Sequence, residues 1–356
     1  MPIVKAFRND KLQENHWAEI KALINKDFEM DKEEFTLKSL IDLDVNQFKD
    51  EITAISTQAT QEHSLRDEIA KIDTLYRNTM WEIAFDDKCE CYVHASMNEV
   101  YNALDESLSN INMILGSRFV KPLREEADQW KKWIMILSDM VDQWMECQKK
   151  WMYLENIFKA PDIKKSLMEE TKKFEGVDKF FKNLMGGNGG AEKQKKCIYW
   201  AKTKPNTLDQ LINNNAILDE VEKRLKDYME LKRGSFPRFY FLSDDELIDI
   251  LANSTNLDII QGHLKTCFDN IVRIDIEEGI EIKAMNSNEK ECVEFKKPLK
   301  ARGPVETWLM QLQEEMVATL THLLKQGVAE YDDEKKNKNR VEFVEKHKGQ
   351  IVATVC

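Results

Sequence analysis

The residues best suited to chemistry fall in a few short runs. Cys89, Cys91 and His94 bring two thiols and an imidazole close together, the side chains that bind zinc. The C-x-C-x-x-H run lacks a fourth ligand, and no matching pair lies nearby. Alternation along a strand would set Cys89 and Cys91 on one face and His94 on the other, so no metal is expected. His263 and Cys267 stand at i and i+4, a spacing that could bring a base to a nucleophile. No third group is evident to orient the imidazole, and a half-buried helix face accounts for both residues. Asp244, Asp245 and Glu246 could gather a hard cation. They follow Ser243, however, and read better as an N-capped helix start, with carboxylates at the positive end of the dipole.

Phosphate binding needs a glycine-rich loop that feeds a helix, with Lys and Ser or Thr at fixed offsets. Gly186, Gly187, Gly189 and Gly190 are followed instead by Ala191 and Glu192, and no G-x-G-x-x-G occurs. Neither ATP nor zinc is expected on this chain. Trp130, Trp133, Trp144 and Trp151 could serve as base-stacking platforms. At a net charge of −12 the chain lacks the basic face that nucleic acid requires, and the short cluster Lys193, Lys195 and Lys196 does not supply one. Their near-heptad spacing makes the tryptophans core residues.

The elements that position these residues are mostly helical. Hydrophobic residues make up 42% and charged residues 33% of 356, with only 12 Gly and 7 Pro, a balance that suits helices with densely charged surfaces. No apolar run approaches the roughly 18 residues of a membrane span. The opening MPIVKAFRND has no apolar signal region. Seven scattered cysteines read as free thiols in a reducing compartment.

Along the chain, Leu12, Trp17, Ile20 and Ile24, then Phe48, Ile52 and Ile55, recur at helical spacing, and Thr36 is placed to cap a helix carrying Leu37, Leu40 and Ile41. WEIAF and CECYVHA, parted by Asp86 and Asp87, predict a hairpin over about 85–97. Ala127, Trp130, Ile134, Leu137, Val141, Trp144 and Trp151 form a seam of period 3.5, broken only by Gln148. It is expected to pack on a preceding seam of Val100, Leu104, Leu108, Ile111 and Leu115. GGNGGAEKQKK predicts an exposed, flexible loop. A long helix over 208–233 carries Leu211, Leu218, Val221, Leu225 and Tyr228, and Gly234 and Pro237 end it. Three strands over about 272–300 follow, with turns at Glu278–Gly279 and at 286–288. A last helix carries Val305, Trp308, Leu309, Leu312 and Met316, and the closing IVATVC is expected as a strand cut short.

The fold class is therefore mainly α, built as tandem helical bundles with two small β elements. The expected division is 1–80 (helical), 81–185 (central bundle), 186–207 (glycine loop and connector), 208–271 (long helix and FPRFYFL) and 272–356 (small sheet plus helix).

Several runs occur together and in order: RNDKLQENHW at 8–17, GSRFVKPL at 116–123, KKWMYLENIF at 149–158, FEGVDKFF at 174–181, YMELKRGSFPRFYFLSDDELIDIL at 228–251, HLKTCFDNI at 263–271 and ARGPVETWL at 301–309. As a set they resemble the linker of dynein heavy chains, with wording closer to axonemal than to cytoplasmic dyneins. The resemblance covers nearly the whole chain, and the 228–251 run is its most specific part. It implies a curved rod of helical bundles arching over a ring of six AAA+ modules, a lever that bends and straightens as the ring hydrolyses ATP. ATP and Mg would belong to that downstream ring, and this chain would carry no catalytic residue and no cofactor of its own. Implied partners are the ring of the same heavy chain and the tail and other subunits upstream, with microtubules met only indirectly and neither nucleic acid nor membrane bound. Implied location is the cytoplasm and cytoskeleton of a ciliary or flagellar axoneme, and the chain alone should be monomeric. The glycine loop departs from the family pattern.

Four residues are candidates for mechanical work. In an extended FPRFYFL, Phe239 and Phe241 share one face and Tyr240 takes the other, which makes Arg238 and Tyr240 candidate ring contacts. Pairing of Arg238 with a local carboxylate is the alternative. Lys223 and Asp227 lie on the solvent side of the long helix, while Trp130, Trp144, Trp151 and Phe239 are expected in the core. The competing class is a non-catalytic helical scaffold that binds other proteins through exposed seams and dimerises, which light scattering would detect.

Overall fold

The computed structural model describes residues 2–26, 28, 40–41, 43–277, 279–332 and 340–355. These fold mainly as helices, with one two-stranded and one three-stranded antiparallel sheet. The chain divides into two compact units, Met1–Lys149 with Lys179–Asn215 and Lys150–Asp178 with Ala216–Cys356. The proposed cap at Thr36, with Leu37, lies outside the described residues.

In the first unit, α1 (Pro2–Phe7) and α2 (Glu14–Ile24) pack on α3 (Lys49–Asn78). Buried positions of α3 recur every three or four residues, from Ile52 through Ile55, Ala59 and Glu62 to Ile69, Ile72 and Tyr76. The hairpin is present as β1 (Glu82–Asp86) and β2 (Cys91–Ser96). Its turn spans 87–90, later than Asp86–Asp87, because the Asp86 carboxylate accepts from the backbone N–H groups of Lys88 and Cys89 and Glu90 takes the left-handed conformation. Cys89 therefore lies in the turn and not on the strand face with Cys91.

Helices α4 (Asn98–Gly116) and α5 (Arg124–Phe158) follow. Every seam residue named on α5 is buried, and so are Met140, Cys147 and Leu154. The buried face is thus broader than a coiled-coil seam, as in a globular core helix. The α4 face is rotated from expectation: Leu108 is exposed and Ser107 is buried in its stead. Ser107 earns that place by sharing a hydrogen bond of 2.7 Å with the buried Tyr76 hydroxyl, so a polar contact overrides the apolar pattern. Tyr76 also stacks on Trp130 of α5, with 6.2 Å between ring centroids, making α3 the common partner of α4 and α5.

The glycine run is not an open, flexible loop. It folds back over the end of α7 (Met168–Gly186), where the N–H groups of Ala191 and Glu192 donate to the carbonyls of Leu184 and Met185 at 3.0 and 2.9 Å. A Cβ on Gly190 would lie 2.8 Å from the Met185 carbonyl oxygen, so a glycine is required there. Gly190 and Ala191 are buried. The run is a helix C-cap, the device that satisfies orphan carbonyls. Beyond it, Lys195 accepts from the Trp81 N–H and Lys196 bridges Met80 beside the hairpin, and α8 (Cys197–Thr203) packs on α3.

The second unit contains α6 (Pro161–Ser166), α10 (Asp244–Ala252), α11 (Leu257–Cys267), strands β3 (Ile271–Glu277), β4 (Glu281–Ser287) and β5 (Cys292–Lys300), and helices α12 (Val305–Asp332), α13 (Arg340–Lys346) and α14 (Gly349–Val355). Helix α9 (Asn206–Ser235) runs through Gly234 before stopping. In this unit its inward residues are Leu218, Val221, Leu225 and Met229, with Tyr228 only half-buried. The strands form a meander in the order β3-β4-β5. Asn286 lies in β4 opposite Cys292, so the second turn spans 288–291 and not 286–288. Val305, Trp308, Leu309 and Leu312 of α12 are buried, and α12 packs on β5. The closing segment is helical, which corrects the expected strand. Ile351 and Val355, one helical turn apart, rest on Gly327 of α12, and the Gly349 N–H donates to Glu291 at 2.8 Å.

Candidate functional site

In the first unit, the aromatic side chains of Trp81, His94, Trp144 and Trp200 converge. His94 lies 5.1 Å from Trp81 and 4.8 Å from Trp144, and Trp144 lies 5.0 Å from Trp200, centroid to centroid and edge to face, the arrangement aromatic quadrupoles prefer. All four residues are buried. Neither His94 ring nitrogen, nor Nε1 of Trp81 or Trp144, has a hydrogen-bond partner among the described residues. Burial pushes the His94 pKa down to about 3, so the imidazole is a neutral filler and not a base. Gln148, the one polar residue of the seam, explains itself here. Its Oε1 accepts from the His94 N–H at 2.8 Å, and its Nε2 donates to the His94 carbonyl at 2.9 Å. The side chain thus supplies the hydrogen bonds of a missing neighbour strand. Trp130 is buried, with the Lys202 ammonium 4.0 Å from its centroid and 4.3 Å from that of Trp133. Burial holds the Lys202 pKa below the ordinary ammonium range.

In the second unit, FPRFYFL forms a 3-10 turn, Pro237–Phe241, and not an extended stretch. Three residues per turn place Phe236, Phe239 and Leu242 on one buried face, while Tyr240 and Phe241 are exposed. Period-three spacing was visible in the sequence and is the signal that the extended reading missed. Phe236 meets Phe239 and Phe268 with centroids 5.0 and 6.2 Å apart. Arg238 is half-buried. Its Nε donates to Gln313 Oε1 at 2.8 Å, its Nη1 donates to the Cys267 carbonyl at 3.0 Å, and the guanidinium lies over Phe268. Its hydrogen-bond partners among the described residues are an amide and a carbonyl, not a carboxylate. The Tyr240 hydroxyl donates to Glu230 at 3.2 Å. Beside this turn, Lys232 pairs with Glu306, both largely buried, and Arg233 joins Asp244, Glu230 and the Leu242 carbonyl. Sequence reasoning missed the Lys232–Glu306 pair. Lys223 and Asp227 are exposed on α9, and Trp151 is buried with its Nε1–H on Asp178 at 3.0 Å.

The remaining candidates for chemistry find local partners. Ser243 caps α10, and its N–H and hydroxyl hold the Glu246 carboxyl below the usual carboxylate range. His263 bonds Asp249 at 3.0 Å. Burial pushes the Cys267 thiol up to about 11, which leaves it protonated and unreactive at neutral pH. Among the described residues, no three His, Cys, Asp or Glu side chains are grouped to share a metal ion, and no helix is long and apolar enough to cross a membrane.

The family profile described as "Dynein heavy chain, N-terminal region 2" matches residues 1–327. The chain belongs to the dynein heavy chain family. It is 35% identical to human "Dynein axonemal heavy chain 6" over 100% of its own length and 9% of that protein's. Identity to human "Dynein axonemal heavy chain 10" is 33%, over 99% of this chain and 8% of the relative. Identity to mouse "Dynein axonemal heavy chain 2" is 33%, over 91% and 7%. This dynein chain therefore spans under a tenth of the curated relatives it matches. Two of its sequence runs meet physically: YMELKRGSFPRFYFL and ARGPVETWL join through Lys232 and Glu306, and Arg238 reaches Gln313 of the same α12.

Proposed function

We propose that this dynein chain is the linker of an axonemal heavy chain, a lever that carries the ATP-driven stroke of a ring located elsewhere in the same polypeptide. The observation that carries the reading is the match of residues 1–327 to the heavy-chain N-terminal region. The axonemal assignment rests on the names of the relatives, and with it go the cilium or flagellum as location and the ring, tail and other dynein subunits as partners. The chemistry is consistent with a mechanical part. Of the early candidates, Cys89, Cys91, His94 and Cys267 are buried, and His263 is bonded to Asp249. ATP and Mg belong, in this reading, to the ring.

A lever transmits force best through stiff elements. Long helices poor in glycine are the stiff option open to a polypeptide, and α5 and α9 run for 35 and 30 residues. Lys223 and Asp227 of α9 are exposed and sit opposite Leu218, Val221 and Leu225. Replacing both by Gly removes no core side chain, yet each change costs about 1 kcal/mol of helix propensity and loosens the backbone. A complete motor with this pair should keep its ATPase and lose gliding speed. Equal loss of both would point to gating of the ring, and an unchanged gliding speed would take α9 out of the force path.

A further inference from the structure

The run RNDKLQENHW has so far received no role. It joins α1 to α2, and its polar residues reach α3 in register. Asn9 Nδ2 lies 2.8 Å from the Ser56 carbonyl, 2.9 Å from the Ser56 hydroxyl and 2.9 Å from the Thr60 hydroxyl. Arg66 donates to Gln13 at 3.3 Å. Between these contacts lies a buried pair, His16 Nε2 to Glu62 Oε2 at 3.0 Å, with side-chain exposures of 1% and 7%.

The remaining polar atoms of the pair are hydrogen-bonded as well. The Gln13 N–H donates to His16 Nδ1 at 3.1 Å, which makes Nε2 the protonated nitrogen and the donor to Glu62. The second oxygen of Glu62 accepts from Gln58 at 2.8 Å. Of these bonds, only His16 Nε2 to Glu62 Oε2 crosses from α2 to α3, since the Gln13 and Gln58 bonds lie within the strap and within α3. A partial opening that broke it would strand a buried carboxyl group, so this bond ties the seating of α2 to that of the Asn9 contacts.

The apolar contacts of the same segment form a cluster of their own. Ile3, Ala6, Phe7, Ile20 and Ile24 pack with Leu40, Val45, Ile52 and Ile55. Every buried member lies within residues 3–55, apart from the tryptophan-rich core. The later part of α3 has other supports, in α4 and α8, and in the Tyr76 contacts to Ser107 and Trp130.

We propose that residues 2–24 form a strap that leaves and re-seats on α3 as one cooperative unit, with His16–Glu62 as its clasp. Opening bares the α3 face of Ile52, Ile55 and Ala59 while the rest of the first unit stays folded. Hydrogen exchange of the 356-residue chain at neutral pH tests this, with Glu62→Ala and Asn9→Ala beside the unsubstituted protein. In the unsubstituted chain, α1 and α2 should exchange together and faster than α4 and α5. Glu62→Ala should speed exchange in α1 and α2 by roughly 100-fold and leave α4 and α5 unchanged. Asn9→Ala should do the same to a smaller degree, and it carries the test should Glu62→Ala fail to fold. Equal acceleration in all helices would overturn the strap in favour of one cooperative core. Unchanged exchange in α1 and α2 would overturn the clasp.

Discussion

The aromatic cluster around Trp144 and the turn around Arg238 are both buried junctions, yet they are held by opposite means. At Trp144 the rings of Trp81, His94 and Trp200 meet edge to face. Among the described residues the one cation at the set, the Lys204 ammonium, lies over Trp200 at its edge, 4.5 Å from the centroid. At Arg238, Phe236 and Phe239 supply the apolar floor, while Lys232–Glu306, Arg233–Asp244 and the Arg238 contacts fasten the surroundings. The first depends on shape and on exclusion of water, so it should fail through cavities and protonation. The second is directional and distributed, so each polar contact should matter less.

Three substitutions would break or sharpen that contrast. The largest effect is expected for Trp144→Ala, a loss of about 3–5 kcal/mol in denaturant unfolding, the usual range for a fully buried aromatic. An unmoved midpoint would mean the cluster is not a packing centre. Next comes acid sensitivity. His94 stays neutral in the folded chain down to about pH 3, whereas an unfolded imidazole takes up its proton near pH 6.5. Between those values the unfolded state binds more protons, so stability falls as pH is lowered, by about 2 kcal/mol from pH 7 to pH 5. His94→Phe should remove that slope, and retention of the full slope would assign it to other groups. The smallest effect is expected at the charged junction: Arg238→Lys keeps the charge but loses the fork to Gln313 and the Cys267 carbonyl, at about 1 kcal/mol. A loss as large as that of Trp144→Ala would erase the contrast.

The helices were legible because apolar residues recur at their period, and the α5 seam is the clearest case. The two sheets were legible from alternation, and Gly279 does sit in the turn between β3 and β4. The turns at 87–90 and 288–291 were displaced by side-chain and backbone hydrogen bonds, as at Asp86, that apolar patterning does not report. Misreadings arose where a polar residue takes an inward position. Ser107 sits inside because Tyr76 needs a partner, and Gln148 because strand β2 does. Gln148 appeared only as a break in its stripe, and Ser107 did not stand out at all, because Leu108 beside it completed the apolar pattern. The FPRFYFL turn was misread by imposing a period of two on residues that follow three. His16–Glu62 and Lys232–Glu306 join residues far apart in sequence, and no local pattern announces such pairs. The glycine run was taken for a linker because composition alone cannot separate a helix cap from an open loop.

The central claim is that this region of the heavy chain transmits motion and does no chemistry. It is tested most directly by a complete axonemal heavy chain from which residues 1–327 of this region have been removed, measured for ATP hydrolysis and for microtubule gliding in one preparation. Retained hydrolysis with lost gliding is the predicted result. Gliding at the intact speed, or hydrolysis abolished along with gliding, would contradict it.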